Sequence, residues 1–187
     1  MDTIVYLKNM LRDKQVASFT PTSVFGIKKV CDKIDFRKKN VIIEYGPGTG
    51  VFTRYLLDKL TPDSTLILIE RNTEFINILQ NSFRDPRLLI YHESAENVME
   101  LLVRSGHSKA DYIISGIPFS FLPHPLRNSI VKKSAECLKP GGKFLAYQTF
   151  FQLDKFLKDY LDLYFKKVRT EFCFRNAPPI RIFEAVK

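Results

Sequence analysis

The sequence predicts an α/β fold with a mainly parallel β-sheet. From residue 41 onward, short runs rich in Val, Ile and Leu alternate with segments that have helical spacing. The intervening segments are long enough to form the right-handed crossovers that join parallel strands. At 187 residues the chain can bury a substantial core but is short for two domains, so we expect a single domain over residues 1–187.

The parallel part of the sheet is predicted from five apolar runs, a pattern typical of strands that are buried on both faces. They are VIIEY from residue 41, TLILIE from 65, LLIYH from 88, DYIISG from 111 and KFLAYQ from 143. Helices are expected between them, near residues 51–60, 72–83, 94–105 and 124–138. In the segment LKPGG, Pro140 cannot continue the last of these helices, and Gly141 and Gly142 permit a sharp turn.

The C-terminal part is predicted to close the sheet as an antiparallel hairpin. After a helix near residues 152–164, the runs VRTEFCF and IRIFEAV flank RNAPP, a segment suited to a turn. The hairpin brings the expected number of strands to seven.

Residues 1–20 are predicted to contain an amphipathic helix, and residues 22–34 a second helix. The stripe of the first helix consists of Ile4, Leu7 and Leu11, with Lys8, Arg12 and Lys14 near its flanks. The stripe can lie in an anionic membrane interface with Tyr6 at head-group depth, or it can pack onto the domain. Alternation between these two states would make the helix a lid over the substrate cleft.

The charge of the chain is strongly basic and uneven. The formal net charge is +9, and residues 1–40 contain nine Lys or Arg against four Asp. This excess suits RNA, an anionic membrane surface, or a solvated basic face with no partner. No run approaches the roughly 20 apolar residues of a membrane-spanning helix, and the N-terminus lacks the apolar core of a signal peptide. We therefore expect a cytoplasmic protein.

The three cysteines, Cys31, Cys137 and Cys173, are odd in number and far apart. Their spacing matches neither a disulfide framework nor the close pairs of a zinc site. We expect buried, reduced thiols and no metal.

The segment VIIEYGPGTGVFTRYLL is the strongest signal of a binding site. A buried strand is followed by Gly46, Gly48 and Gly50 and then by a helix. Glycines adopt positive φ and let the backbone approach a ligand, and the N–H groups that begin a helix are unpaired. A dinucleotide-binding loop counted from Gly46 would need glycine where Val51 stands, which argues against a dehydrogenase.

The second predicted strand ends in Glu70, 20 residues beyond Gly50. A carboxylate at this position can accept hydrogen bonds from both hydroxyl groups of a ribose. The glycine loop and the carboxylate together predict an adenosine-containing ligand.

These motifs resemble those of class I S-adenosylmethionine-dependent methyltransferases, from about residue 20 to the end of the chain. The resemblance implies a Rossmann-like fold and S-adenosylmethionine as the cofactor. It implies that Glu44 lies near the amino group of the cofactor and that Glu70 holds its ribose. The loop around the methionine part would be shaped by Gly46, Gly48 and Gly50.

The adenine end of the cofactor is assigned by the same resemblance. The family commonly has Gly-Asp-Ala after the third strand, with the Asp binding the adenine amine, and Glu93-Ser94-Ala95 stands in that place here. Ser94 and Ala95 are therefore assigned to the cofactor, with Glu96 as a substitute carboxylate. Ser94 is equally well explained as the N-cap of the next helix. Ser115, at the end of the fourth strand, is also assigned to the cofactor.

The segment SGIPF follows the fourth strand, where this fold presents the nitrogen that receives the methyl group. In ribosomal RNA adenine dimethylases, which the chain resembles through the glycine loop and Phe19, the matching stretch reads Asn-Leu-Pro-Tyr or similar. The polar side chain there accepts a hydrogen bond from the adenine amine, and the aromatic ring stacks on the base. Gly116 replaces the Asn, so base methylation loses its most specific contact, while Pro118 and Phe119 complete the motif.

Further departures from the adenine dimethylases favour a lipid substrate. Those enzymes carry a helical C-terminal domain for RNA, whereas this chain stops after its hairpin. The segments SGIPF, YQTF and RNAPPIRIF resemble bacterial phospholipid N-methyltransferases. Those enzymes share the adenine-dimethylase core, end in an Asn-x-Pro-Pro hairpin and start with an amphipathic helix.

The lipid interpretation gives candidate roles to several side chains. A methylated head group is a bulky cation that favours aromatic walls, for which core packing is the alternative in at least two cases. The candidate wall residues are Phe119, Phe121, Tyr147 and Phe150. Tyr147, His124 or water would accept the proton of the amine, with simple surface exposure as the alternative for His124.

Four more polar side chains are candidates near the substrate. Gln148 and Asn176 would orient the head group or close the lid. Arg175 and Arg181 would hold a phosphate diester, although exposed arginines often have no specific partner.

We therefore interpret the chain as a methyltransferase that modifies phosphatidylethanolamine or its partly methylated derivatives at the inner face of the cell membrane. The first alternative is an RNA adenine N6-methyltransferase. The second is a non-catalytic adaptor that keeps the cofactor fold and binds RNA or membrane.

Overall fold

The structure, a computed structural model, describes residues 22–150, 152 and 155–187. The predicted N-terminal amphipathic helix and Phe19 lie outside the described residues.

Strands and helices alternate along the described part of the chain. The strands are β1 (Val41–Tyr45), β2 (Thr65–Glu70), β3 (Leu88–His92), β4 (Ala110–Ser115), β5 (Leu138–Thr149), β6 (Lys167–Cys173) and β7 (Ile180–Val186). The helices are α1 (Val24–Cys31), α2 (Val51–Lys59), α3 (Thr73–Ser82), α4 (Val98–Arg104), α5 (His124–Cys137) and α6 (Lys155–Tyr164). Two short 3₁₀ helices cover Ala95–Asn97 and Phe119–Phe121.

The strands form one sheet in the order β3-β2-β1-β4-β5-β7-β6. The first five are parallel, and β7 pairs antiparallel with both β5 and β6. The predicted α/β fold, with its mainly parallel seven-stranded sheet and antiparallel hairpin, is confirmed. The strand order reverses between β1 and β4, and open α/β sheets bind ligands beside the carboxyl ends of the strands at such a point.

The core consists of one apolar layer on each face of the sheet. Side chains that alternate along β1 divide between the layers, with Ile42 on one face and Ile43 on the other. The first layer packs against α1 and α2, and the second against α4, α5 and α6. Every residue of β1 is buried, as expected for a central parallel strand covered by helices on both faces.

The main departure from the predicted boundaries is at the start of β5. Helix α5 ends at Cys137, but strand pairing begins at once rather than after a free turn. Ala110 pairs with Leu138 and Tyr112 pairs with Lys143, so the segment LKPGG forms an irregularity within the strand. Gly141, with a φ of +77°, accommodates this irregularity because glycine lacks a Cβ.

The three cysteines are buried and unpaired. Burial raises the pKa of Cys31 and Cys137, so both thiols stay protonated. Within the described residues, none of the helices combines the length and apolar character needed to span a bilayer.

Candidate active site

The glycine loop between β1 and α2 lies at the carboxyl edge of the sheet. Its glycines, Gly46, Gly48 and Gly50, have φ values of +65°, +57° and +82°. A side chain would be strained at each position. A Cβ on Gly48 would meet no atom within 4 Å, whereas a Cβ on Gly50 would lie 2.5 Å from the Phe83 ring. The loop therefore exposes backbone to open space at Gly48 and is tightly packed at Gly50.

Glu44 is a buried carboxyl group two residues before the loop, with 1% of its surface exposed. Its Oε2 accepts a hydrogen bond from Thr53 Oγ1 at 2.8 Å, while its Oε1 is buried without a hydrogen-bond partner. Burial raises the pKa of Glu44 to about 8; the hydrogen bond from Thr53 opposes this rise and the charge of Glu70 adds to it. A buried carboxyl group with one unsatisfied oxygen suits a cationic ligand, such as the amino group of the implied cofactor.

Glu70 joins the end of β2 to the glycine loop. Its Oε2 accepts a hydrogen bond from the Gly48 amide at 3.2 Å. Its Oε1 accepts bonds from the amides of Arg71 and Asn72 at 2.8 and 2.9 Å. An ionised carboxylate has about four acceptor positions, so one remains for a ligand hydroxyl. The structure thus brings Glu70 to the loop, and its contact with a ribose stays a prediction.

Gly116 and Tyr147 lie side by side although they are far apart in the sequence. A Cβ on Gly116 would lie 2.5 Å from the Tyr147 hydroxyl oxygen and 3.3 Å from the Gly46 carbonyl oxygen. The hydroxyl group therefore occupies the space that a side chain at Gly116 would need. The Tyr147 ring stacks on Phe52 with its centroid 4.5 Å away, which holds the hydroxyl beside the glycine loop.

The ionisation of Tyr147 limits what it can do. Burial raises its pKa, and the neighbouring Glu44 and, to a smaller extent, Glu70 raise it further. The phenol is therefore protonated at neutral pH and cannot act as a phenolate base. Its oxygen can still accept a hydrogen bond from an amine.

The residues assigned to the adenine end lie at the end of β3. Ser94 occupies the N-cap position of the first 3₁₀ helix but makes no capping hydrogen bond, and Ala95 is buried. Ser115, fully buried at the end of β4, accepts a hydrogen bond from the Ile117 amide at 3.3 Å. Its hydroxyl group thus stabilises the turn that leads to Pro118.

The predicted aromatic walls divide into core and surface residues. Phe119 is fully buried and packs edge-on against Phe144, which agrees with the core-packing alternative. Phe121 and Phe150 are 39% and 44% exposed. His124 is exposed at the first residue of α5, with its ring edge-on to Tyr160 at 5.5 Å. The position of His124 therefore agrees with the alternative that it is simply a surface residue.

The candidate polar residues of the hairpin serve mainly structural contacts. Asn176 accepts a hydrogen bond from the Ser23 amide at 2.6 Å and donates one to the Pro178 carbonyl at 2.7 Å. It thereby attaches the β6–β7 loop to the start of α1. Arg175 is exposed over the Phe25 ring, and Arg181 donates to the Gln152 carbonyl.

Besides Glu44, the described residues Gln148 and Arg127 have buried polar atoms without hydrogen-bond partners. These are both amide atoms of Gln148 and the Nε and Nη1 atoms of Arg127. Gln148 was a candidate predicted from the sequence, whereas Arg127 was not. A signal was present, because Arg127 falls on the buried stripe of α5 together with Ile130, Val131 and Ser134, where a charge is unexpected.

Comparisons with known proteins agree with this geometry. The sequence model of the ribosomal RNA adenine dimethylase family matches residues 19–144. The ornithine lipid N-methyltransferase of Singulisphaera acidiphila is 26% identical over 172 residues, covering 88% of this chain and 84% of that protein. Ribosomal RNA small subunit methyltransferase A of Mycoplasma capricolum is 32% identical over 97 residues, which are 50% of this chain and 34% of that protein.

Solved structures show the same fold. Magnesium protoporphyrin IX methyltransferase from Synechocystis PCC 6803, solved with bound S-adenosylmethionine, has a TM-score of 0.69 at 10% identity, covering 100% of this chain and 98% of that one. Among the residues described, no cluster of His, Cys, Asp or Glu could hold a metal ion. The family match spans the glycine loop, both carboxyl groups and the turn at Gly116. The chain therefore belongs to the ribosomal RNA adenine dimethylase family and is an S-adenosylmethionine-dependent methyltransferase.

Proposed function

We propose that the protein methylates the head-group amine of a membrane lipid, either phosphatidylethanolamine and its partly methylated derivatives or an ornithine lipid. The observation that carries the proposal is the pair Gly116 and Tyr147. The side chain that would hold an adenine amine is absent, and a phenol hydroxyl fills its place. The similarity to an ornithine lipid N-methyltransferase over most of both chains supports the same class of acceptor.

The cofactor supplies a methyl group that its sulfonium already activates. The buried Glu44, with its unsatisfied Oε1, would bind the amino group of the cofactor, and Glu70 would accept one hydrogen bond from its ribose. The open side of Gly48 leaves room for the methionine part.

The acceptor amine would lie beside the Gly116 backbone, within hydrogen-bond reach of the Tyr147 hydroxyl. A lipid amine is mostly protonated at neutral pH and must lose its proton before it can accept a methyl group. A poorly solvated site lowers the pKa of an amine, and the Tyr147 oxygen would then accept a hydrogen bond from the neutral form and align its lone pair. The proton would leave through water or through the exposed His124.

An exposed surface of aromatic and basic residues accompanies this site. Phe25 and Phe174 are 55% and 78% exposed, and Lys28 and Arg175 lie beside them. These residues occupy the start of α1 and the β6–β7 loop, which meets the carboxyl end of β5 through the pair Thr149 and Ile180. Exposed aromatic rings flanked by cations suit an anionic membrane interface, and this surface would bring the site to its substrate.

Methylation of RNA adenine is the second candidate, because the matching family is named for it. It would need the Gly116 carbonyl or the Tyr147 hydroxyl to replace the missing Asn.

One labelling experiment separates these functions. The protein is incubated with cofactor carrying a labelled methyl group and with anionic vesicles containing phosphatidylethanolamine, the same vesicles containing ornithine lipid, or bulk RNA. We expect label in one of the lipid samples. Label in RNA alone, or cofactor binding without label in either lipid sample, would contradict the proposal.

A further inference from the structure

Arg127 presents a buried positive charge that forms no ion pair with the described residues. It lies in the first turn of α5 with only 9% of its surface exposed. Its Nε and Nη1 atoms are buried without a hydrogen-bond partner, and no acidic side chain of the described residues forms an ion pair with it. A guanidinium is always charged and always needs acceptors, so leaving these donors unsatisfied is unfavourable.

Aromatic rings stabilise only part of this charge. The guanidinium carbon lies 4.6 Å from the centre of the Phe156 ring and 6.0 Å from that of Tyr160, both on α6. A cation–π contact favours the positive charge, but a ring is at most a weak hydrogen-bond acceptor. The rings therefore hold the guanidinium in place, while its Nε and Nη1 atoms remain without a hydrogen-bond acceptor.

A second unsatisfied group lies in the same layer of the molecule. Gln148 is 4% exposed, and both atoms of its amide lack partners. Alternation along β5 places its side chain on the same face as Phe144 and Ala146, which belong to the layer packed against α5 and α6. Gln148 thus adds an N–H donor near the carboxyl end of β5, on the face that α5 covers.

This layer adjoins the predicted acceptor position along the chain. The turn at Gly116 leads through the 3₁₀ helix Phe119–Phe121 directly to His124, the first residue of α5. Arg127 follows within one turn of helix. The start of α5 is thus the element that follows the predicted acceptor turn most closely along the chain, and a head group that extends from Gly116 along this connection would reach it.

We propose that Arg127, assisted by Gln148, binds the anionic group of the substrate head group while its amine is held at Gly116 and Tyr147. This inference rests on the proposed lipid substrate and adds a specificity determinant to it. A guanidinium binds a phosphate diester or a carboxylate through two parallel hydrogen bonds. Phosphatidylethanolamine carries a phosphate diester, and an ornithine lipid carries a carboxylate. The site would select amines that carry a nearby anion over amines that do not.

The direct test measures anion binding without relying on methyl transfer. Calorimetry would titrate methyl phosphate, and separately acetate, into the wild type, Arg127→Met and Arg104→Met. Arg104 is the matched control because it also lies over an aromatic ring, Tyr91 at 5.3 Å, but is 54% exposed on α4. We expect the wild type and Arg104→Met to bind at least one anion, and Arg127→Met to bind neither. Absence of binding by the wild type, or equal binding by Arg127→Met, would overturn the proposal.

Methyl-transfer kinetics then identify the source of the anion. With the lipid that accepts the label, Arg127→Met should raise KM about tenfold or more and change kcat little, because charge-assisted hydrogen bonds are lost. Activity toward sphingosine, an amine without an anionic group, should not change. Methyl phosphate should compete with the lipid; if it binds at Arg127 without affecting the lipid KM, the substrate is not the source and the proposal fails.

A purely structural role for Arg127 makes a different prediction. If the cation–π contacts mainly stabilise α5 and α6, Arg127→Met should lower Tm and reduce activity toward all amines equally. We expect Tm to be unchanged or higher, because the substitution removes an unsatisfied buried charge. If the labelling experiment finds no lipid product but the anion still binds at Arg127, the proposed function fails while the anion site stands.

Discussion

The candidate active site at the carboxyl edge of the sheet has two halves, which differ in how many of their buried polar atoms have hydrogen-bond partners. In the cofactor half, formed by β1, β2 and the glycine loop, Glu70 accepts three backbone hydrogen bonds and Glu44 lacks a partner at one oxygen only. In the acceptor half, formed by the ends of β4 and β5 with α5, Arg127 and Gln148 each have two buried atoms without partners. The polar groups of the cofactor half are thus more fully satisfied by the protein itself, and under the proposed function the substrate would complete the acceptor half.

The largest expected effect tests how rigidly the cofactor half is built. Gly50→Ala would place a methyl group 2.5 Å from the Phe83 ring at a φ of +82°. We expect this substitution to lower the free energy of unfolding by about 3 kcal/mol, measured by urea denaturation. Gly106→Ala is the control, because its φ is +78° but its Cβ would meet nothing within 4 Å. Gly106→Ala should lower the free energy of unfolding by only about 1 kcal/mol. Equal losses in the two variants would show that packing at Gly50 is loose.

The next effect tests the acceptor half through Tyr147. Tyr147→Phe keeps the ring on Phe52 but removes the hydroxyl beside Gly116. We expect kcat to fall about ten- to a hundredfold while cofactor affinity stays within about twofold, because one hydrogen bond to the amine is lost. Tyr112→Phe, which removes a hydroxyl bonded to the Asp35 amide, should leave kcat unchanged. An unaltered kcat in Tyr147→Phe would remove Tyr147 from the mechanism.

The pH dependence of cofactor binding follows from Glu44. Its pKa of about 8 in the fold lies above its ordinary value of 4.5, so the folded protein holds a proton that the unfolded chain releases. The contribution of Glu44 to the free energy of unfolding is therefore greatest below pH 4.5 and is lost as the pH rises toward 8.

A cationic ligand reverses this preference because it favours the carboxylate. Cofactor binding should then release close to one proton at pH 6, and its Kd should fall up to about tenfold per pH unit between pH 6 and 8. Calorimetry in buffers with different ionisation enthalpies measures the released proton. Glu44→Gln should abolish the release, and a wild-type Kd independent of pH would argue against Glu44 as the ligand of the amino group.

The smallest effect concerns the surface around the acceptor half. Phe174→Ser should weaken binding to anionic vesicles several-fold, since it removes one exposed ring from the interface. Leu163→Ser, at an apolar residue 67% exposed on α6, serves as the control and should leave vesicle affinity unchanged. Equal losses in both variants would indicate general hydrophobic adsorption.

The sequence predicted the positions of the glycine loop, Glu44 and Glu70 in the fold, because the signals for these positions are local. The glycines of the loop, the carboxyl groups at strand ends and the alternation of strands with helices all act through neighbouring residues or through burial on both faces of a strand. The strand boundary at Leu138 was less predictable, because pairing with Ala110 overrides the tendency of Pro140 and Gly141 to form a turn.

By itself, the sequence determined the fold class, the position of the glycine loop and the carboxyl groups near it. Only the tertiary structure placed the Tyr147 hydroxyl against Gly116, Phe119 in the core and Arg127 between α5 and α6, where it forms no ion pair with the residues that the structure describes. The physical reason is that these arrangements join residues far apart in the chain. Packing between sheet and helices decides them, and a one-dimensional pattern carries no information about which distant side chains share a space.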